Sequence, residues 1–192
     1  HASERRGRVA LAVSAALCLV AALAAVMLGS TNVSLADVLA VLTGGQTSTP
    51  AAANIVEHVR LPRMLAGVLA GAALAVSGCI TQTVLNNPLA SPNVLGINSG
   101  AGLAVLLASA LLPNVAAALP AAAFGGALLT TLLVFAVASV ADASRMTIVL
   151  VGMAATAVFG AGMNTVLIVN PDAYVGASTF LVGGLAGVRM VD

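Results

Sequence analysis

Long apolar segments, separated by short polar or proline-containing breaks, constrain this chain more than any other feature of its sequence. The first of them, residues 9–28, contains no charged residue, and an α-helix of about 20 apolar residues crosses the hydrocarbon core of a bilayer. Only 7% of the 192 residues are charged, which is too few to cover the surface of a soluble domain. Because the segments do not alternate between apolar and polar residues, they favour helices over a barrel. The sequence therefore predicts an all-α fold, that of a polytopic helical membrane protein.

Five segments are predicted as membrane spans, namely residues 9–28, 62–85, 94–112, 115–140 and 146–169. Three arginines, Arg5, Arg6 and Arg8, precede the first span, and clustered arginines at that position favour a cytoplasmic N-terminus. A secretory signal peptide is the alternative interpretation of the first segment. Its apolar region is usually shorter, and four more spans follow here.

Residues 31–42 predict a short amphipathic helix at the outer surface, because they are too few to span a bilayer. Ser34 and Asp37 have the spacing of a capping box. Apolar residues share one face of this helix: Leu35, Val38, Leu39 and Leu42. Residues 43–53, rich in Gly, Thr, Ser and Pro, predict a loop, and residues 172–192 predict a short surface helix rather than a span.

The segment between residues 60 and 101 is more specific than the rest. Its distinctive pieces are RLPR at 60–63, GAALA at 71–75, SG at 77–78, Gln82, NPLA at 87–90, Pro92, LG at 95–96 and GA at 100–101. In their order and spacing these pieces closely resemble the permease family of ABC importers for iron siderophores, haem and vitamin B12, the transmembrane subunits of type II importers.

The resemblance implies a ten-helix permease fold in the cell membrane of a bacterium. This chain, residues 1–192, is then expected to form a single transmembrane permease domain that lacks the C-terminal part of the family fold. The implied partners are a second permease subunit, identical or paired, two nucleotide-binding ATPase subunits and an extracytoplasmic substrate-binding protein. ATP and Mg²⁺ would bind the ATPase subunit, so no cofactor and no enzymatic activity are expected in this chain. A ferric siderophore is favoured over haem or cobalamin only as the commonest cargo of the family.

Arg60 and Arg63 are the candidate docking residues for the binding protein. They are expected outside, against the positive-inside tendency, and Arg63 is expected in the first turn of a helix that starts at Pro62, where the macrodipole disfavours a cation. In the resembling family, arginines of this motif receive carboxylates of the binding protein. The alternative is that both reach lipid phosphates or pair with Glu57.

The resemblance also places a cytoplasmic gate near Asn87, Pro88 and Leu89. The turn from Ser144 to Thr147, before the fifth span, would face these residues. Irregular backbone at such a position is tolerated where protein or a water-filled cavity surrounds it. A simple structural turn is the alternative.

Small and polar residues within the spans predict close helix packing or pore lining. The candidates are Gly71, Gly78, Gln82, Gly152, Gly160 and Asn164. No acidic residue lies centrally in a span, which argues against the alternative function, a secondary transporter that is not coupled to ATP. The sequence has no lysine and no metal-ligand spacing, so neither a Walker A loop nor an intramembrane enzyme is predicted.

Overall fold

The computed structural model describes residues 2–29, 31, 33–88, 90–115, 117–140, 144–185 and 187–188, and these residues contain helices and no strand. The elements are α1 (Ala2–Met27), α2 (Leu35–Thr43), α3 (Pro50–Ile55), a π-helical turn (Val56–Arg60), α4 (Leu61–Leu85), α5 (Ile97–Leu111), α6 (Ala118–Val140), α7 (Arg145–Val169) and α8 (Ala173–Val182). The predicted all-α fold is confirmed.

Four of the described helical segments are long and apolar enough to cross a membrane: Glu4–Met27, Pro50–Leu85, Ala118–Val140 and Arg145–Val169. The segment predicted as the third span, residues 94–112, instead forms the 15-residue apolar helix α5. It starts later than predicted because Gly96 takes a left-handed conformation, φ 72°, and residues 92–96 form turns.

The chain divides into two compact units, His1–Ala72 with Leu185–Asp192 and Ala73–Gly184. In the first unit, four buried valines form a small core where α1 ends and where α2 and the π turn meet. They are Val26, Val33, Val38 and Val56. Ser34 caps α2 as predicted: its hydroxyl accepts a hydrogen bond from the N–H of Asp37 at 3.1 Å.

The helix that contains Pro62 begins twelve residues before the proline, so the predicted start at Pro62 is wrong. Thr49 caps α3 and Pro50 occupies its first turn, which also shortens the predicted loop at 43–53. The π turn carries the helix on into α4, with the Leu61 N–H donating to the Val56 carbonyl. A proline inside a regular α-helix collides with the carbonyl four residues back, and the wider π turn lies where that collision would fall.

In the second unit α5 is the central helix, and it packs against α6, α7 and α8. Val105 and Leu106 of α5 are fully buried together with Ala177 of α8. The Ser109 hydroxyl donates to the Ala173 carbonyl at 2.9 Å. The helix predicted within residues 172–192 is α8; Ala173 and Ala177 are its buried residues, packed against α5, and most of its other residues are exposed.

Candidate functional site

The two candidate docking arginines lie on successive turns of one continuous helix but in different surroundings. Arg63 is exposed, whereas Arg60, the last residue of the π turn, retains 8% of its accessible surface. Both line a cavity of about 500 Å³ in the first unit, beside the end of α1. Within the described residues neither arginine forms the predicted alternative pair with Glu57.

The guanidinium of Arg60 is occupied by backbone carbonyls at the end of α1. Its Nη1 donates to the Val26 and Met27 carbonyls, each at 2.7 Å, and its Nη2 donates to the Thr31 carbonyl. The last carbonyls of a helix have no intrahelical partner and carry partial negative charge. Arg60 therefore acts as a C-terminal cap for α1, supplied from a residue more than 30 positions along the chain.

Gly29 makes room for this contact. A Cβ at position 29 would lie 2.8 Å from Arg60 Nη2 and 3.2 Å from its Cζ. The absence of a side chain at Gly29 lets the guanidinium reach the carbonyls.

The predicted gate segment follows a well-formed helix end. Asn86 has φ 46°, its N–H donates to the Thr83 carbonyl, and the Asn87 N–H donates to the Gln82 carbonyl. This pair of hydrogen bonds is the Schellman motif, and a proline commonly follows it because it cannot continue the helix. The Gln82 side chain also donates to the Pro88 carbonyl at 3.0 Å. Asn87 and Pro88 are exposed, and Leu89 lies outside the described residues.

The other predicted gate segment is the start of α7. The Ser144 hydroxyl accepts from the Thr147 N–H at 3.1 Å and lies 2.7 Å from the Thr147 hydroxyl. Both segments border one hydrophobic cluster, which contains Leu85, Ala90, Leu95, Val134, Ala138 and Ile148. The structure thus gathers the end of α4, the end of α6 and the start of α7 at one end of the second unit.

The candidate packing residues separate into two groups. A Cβ at Gly152 would lie 2.5 Å from the Val94 carbonyl oxygen and 2.8 Å from Leu95 Cα, so α7 approaches the backbone before α5 closely there. A Cβ at Gly71, Gly78 or Gly160 would meet nothing within 4 Å. The two polar candidates within the spans, Gln82 and Asn164, are exposed.

Residues 17–192 match the FecCD transport family. The chain belongs to this family. The family resemblance inferred from the sequence is thereby confirmed.

Two curated relatives align with nearly all or most of this FecCD chain. The Fe(3+)-citrate import system permease protein YfmE of Bacillus subtilis (strain 168) is 33% identical over 185 residues, covering 96% of this chain and 55% of the relative. The Fe(3+) dicitrate transport system permease protein FecC of Escherichia coli (strain K12) is 40% identical over 166 residues, covering 83% of this chain and 49% of the relative. The chain therefore spans about half the length of the curated relatives it matches.

A solved structure has the same fold. It is an inward-facing metal-chelate type ABC transporter, and it aligns with a TM-score of 0.73 over 91% of this chain and 53% of that chain. Its sequence is 23% identical, so the likeness establishes the fold alone. Together with the four long apolar helices, family membership makes this a multi-pass membrane protein.

Sequence reasoning missed a close helix crossing in this FecCD chain, between α5 and α6. A Cβ at Gly126 would lie 2.5 Å from the Ala104 Cβ and 2.7 Å from the Gly100 carbonyl oxygen. A Cβ at Gly100 would in turn collide with the side chain of Thr130. The signal in the sequence is the small residues themselves, glycine at 100 and at 126, because small residues let membrane helices approach closely.

Proposed function

We propose that this chain is part of the permease subunit of an ATP-driven ABC importer and that it contributes to the translocation pathway for iron-siderophore-type chelates. The family match over residues 17–192 carries the proposal. The names of the two relatives, both permease proteins for ferric citrate, support the cargo class. ATP hydrolysis takes place on a separate nucleotide-binding subunit in this proposal, so ATP and Mg²⁺ bind there.

The proposed topology has a cytoplasmic N-terminus. The exposed cluster Arg5, Arg6 and Arg8 supports it. Helix α1 then ends outside, and Arg63 faces the outer aqueous phase. Helix α4 runs inward, so the segment with Asn87 and Pro88 and the start of α7 at Ser144 are cytoplasmic.

Docking of the substrate-binding protein is proposed at the arginine pair. The exposed guanidinium of Arg63 can hold a carboxylate through two parallel hydrogen bonds. Arg60 lies beside it and adds positive charge to the same cavity. For Arg60 to bind the partner directly, it would have to leave the Val26 and Met27 carbonyls of α1 and the Thr31 carbonyl beyond it, so Arg63 is the first point of contact.

The gate is proposed at the cytoplasmic end of the second unit. The segment with Asn87 and Pro88 and the turn from Ser144 to Thr147 adjoin the same hydrophobic cluster. Movement of α7 against the end of α4 would alter both segments together. The Schellman motif and the Ser144 cap give each segment a defined resting conformation.

The test is uptake by the full-length permease that contains this chain, reconstituted in proteoliposomes with its nucleotide-binding subunit and binding protein. Radiolabelled ferric citrate, a ferric hydroxamate, haem and cobalamin would be compared as cargo. We expect uptake of an iron chelate that requires ATP and persists when an ionophore abolishes ion gradients. Uptake that continues without the ATPase subunit and stops with the ionophore would establish a secondary transporter instead.

A further inference from the structure

Helix α2 is fixed in rotation by one buried carboxylate and one buried valine. Asp37 accepts a hydrogen bond from the Ser34 hydroxyl at 2.6 Å and another from the Ser48 N–H at 2.7 Å. Val38 packs in the valine core with Val26, at the end of α1. These contacts determine which side of α2 turns toward the unit.

A leucine stripe lies next to Val38 on the same helix. It consists of Leu35, Leu39 and Leu42, which are 46%, 52% and 61% exposed. Residues spaced by four and by three positions share one helix face. The sequence places Val38 on this face too, but Val38 is 3% exposed and belongs to the core. The leucine stripe is therefore the unpartnered part of the amphipathic face.

The surface of α1 is also apolar and exposed. Almost all of α1 is exposed, including Leu23 and Leu28 near its end. Because Val38 packs beside Val26, α2 lies at the level where α1 leaves the bilayer. The carboxylate of Asp37 is turned into the unit, so no charge of α2 opposes contact with acyl chains.

We propose that the leucine stripe is a lipid-contacting surface that seats α2 at the boundary between headgroups and acyl chains. Short helices with leucines on one face and polar groups on another lie in that plane of the membrane. The stripe joins the lipid-facing surface of α1 into one continuous apolar band. This inference rests on the membrane-protein character of the chain and not on the importer function.

The chain has no tryptophan, so a single introduced tryptophan reports its own surroundings. Leu39→Trp and Leu42→Trp would be compared with Gln46→Trp, an exposed position in the loop that follows α2. The chain is placed in phosphatidylcholine nanodiscs, some of which contain lipids brominated near the top of the acyl chains. Unchanged far-ultraviolet circular dichroism serves as the check on folding.

We expect brominated lipid to remove most of the fluorescence of both stripe variants, and their emission to be shifted to the blue. Aqueous iodide should quench Gln46→Trp strongly and the stripe variants weakly. If iodide quenches all three equally, the stripe faces water and the proposal is wrong. If neither quencher reaches the stripe variants, protein covers the leucines and the proposal is also wrong.

Discussion

The two units of this chain join their helices by different means. In the first unit, α1 is almost entirely exposed along its length, and polar side chains hold its end. Arg60 binds three carbonyls there, and Asp37 ties α2 to the loop that follows it. In the second unit, α5 and α6 meet through glycine backbones, at Gly100 and Gly126.

The difference follows from where each contact lies. Apolar side chains gain no hydrophobic energy when they leave lipid for another helix, so association within the hydrocarbon depends on close packing or hydrogen bonds. Glycine crossings supply close packing along the length of a helix. At a helix end, the unpaired carbonyls offer hydrogen-bond acceptors instead. The first unit is therefore expected to be sensitive to loss of polar groups, and the second to added volume.

Added volume at the α5–α6 crossing should give the largest effect. Gly126→Leu would push a side chain against the Gly100 carbonyl and Ala101 Cα. These backbone atoms cannot relieve the collision by changing rotamer, as a side chain could. Overpacking typically costs about 1–3 kcal/mol and sometimes more, and we expect the upper end of that range. The measurement is thermal unfolding of the purified chain in mild detergent.

Gly125→Leu is the matched control, because a Cβ at Gly125 meets nothing within 4 Å. The two substitutions change helix propensity equally in adjacent positions of α6. We expect Gly125→Leu to unfold at or slightly above the wild-type temperature. Equal destabilisation by both variants would mean that the glycine crossing does not hold the second unit together.

Removal of the Arg60 cap should give the next effect. Arg60→Met keeps a long apolar stem but leaves the Val26, Met27 and Thr31 carbonyls without this donor. Hydrogen bonds to charged groups contribute roughly 1.5–3 kcal/mol, and water at the helix end will replace part of that. We therefore expect a loss near the lower end, measured by thermal unfolding, with partial recovery in Arg60→Lys.

Arg63→Met is the control for stability, since Arg63 is exposed and exposed substitutions usually change stability by less than about 0.5 kcal/mol. If Arg60→Met is as stable as wild type, the cap does not contribute to stability.

In the assembled transporter, Arg63→Glu should weaken docking of the binding protein, and the wild-type affinity should fall as salt rises. If Arg63→Glu docks normally at low salt, the docking proposal is wrong.

The sequence predicted the local features of this fold well. The long apolar segments and the cap at Ser34 depend on residues within a few positions of each other, so they can be predicted directly from the sequence. The start of α3 at Pro50 was missed because Pro62 offered a competing start signal. No local sequence pattern predicts a π turn that accommodates a proline.

The site was predictable in its residue types but not in their partners. Arg60 meets carbonyls about 30 residues away, and their position depends on how α1 ends, which no spacing in the sequence encodes. The glycines illustrate the same limit, since a Cβ added at Gly152 would collide with a neighbouring backbone whereas a Cβ added at Gly71, Gly78 or Gly160 would meet nothing within 4 Å. The spacing of small residues shows that a helix can pack closely against another helix, but only the tertiary fold determines which helices pack at which residue.

The smallest expected effect is the loss, at acidic pH, of the stability that the Asp37 carboxylate contributes. Hydrogen bonds from the Ser34 hydroxyl and from Ser48 lower the pKa of Asp37 from 3.8 to about 2. Because the folded carboxylate holds its proton less tightly than the unfolded one, its contribution to folding stability is complete above about pH 3.8 and is lost as pH falls toward about 2.

The measurement is the unfolding temperature of wild type minus that of Asp37→Asn, followed from neutral pH into that window. Taking the difference cancels the carboxylates that both chains share. We expect the difference to be positive and constant above the window and to shrink within it, since a protonated Asp37 and an asparagine are both neutral. Two curves that stay parallel down to pH 2 would show that the Asp37 carboxylate does not hold α2 in place.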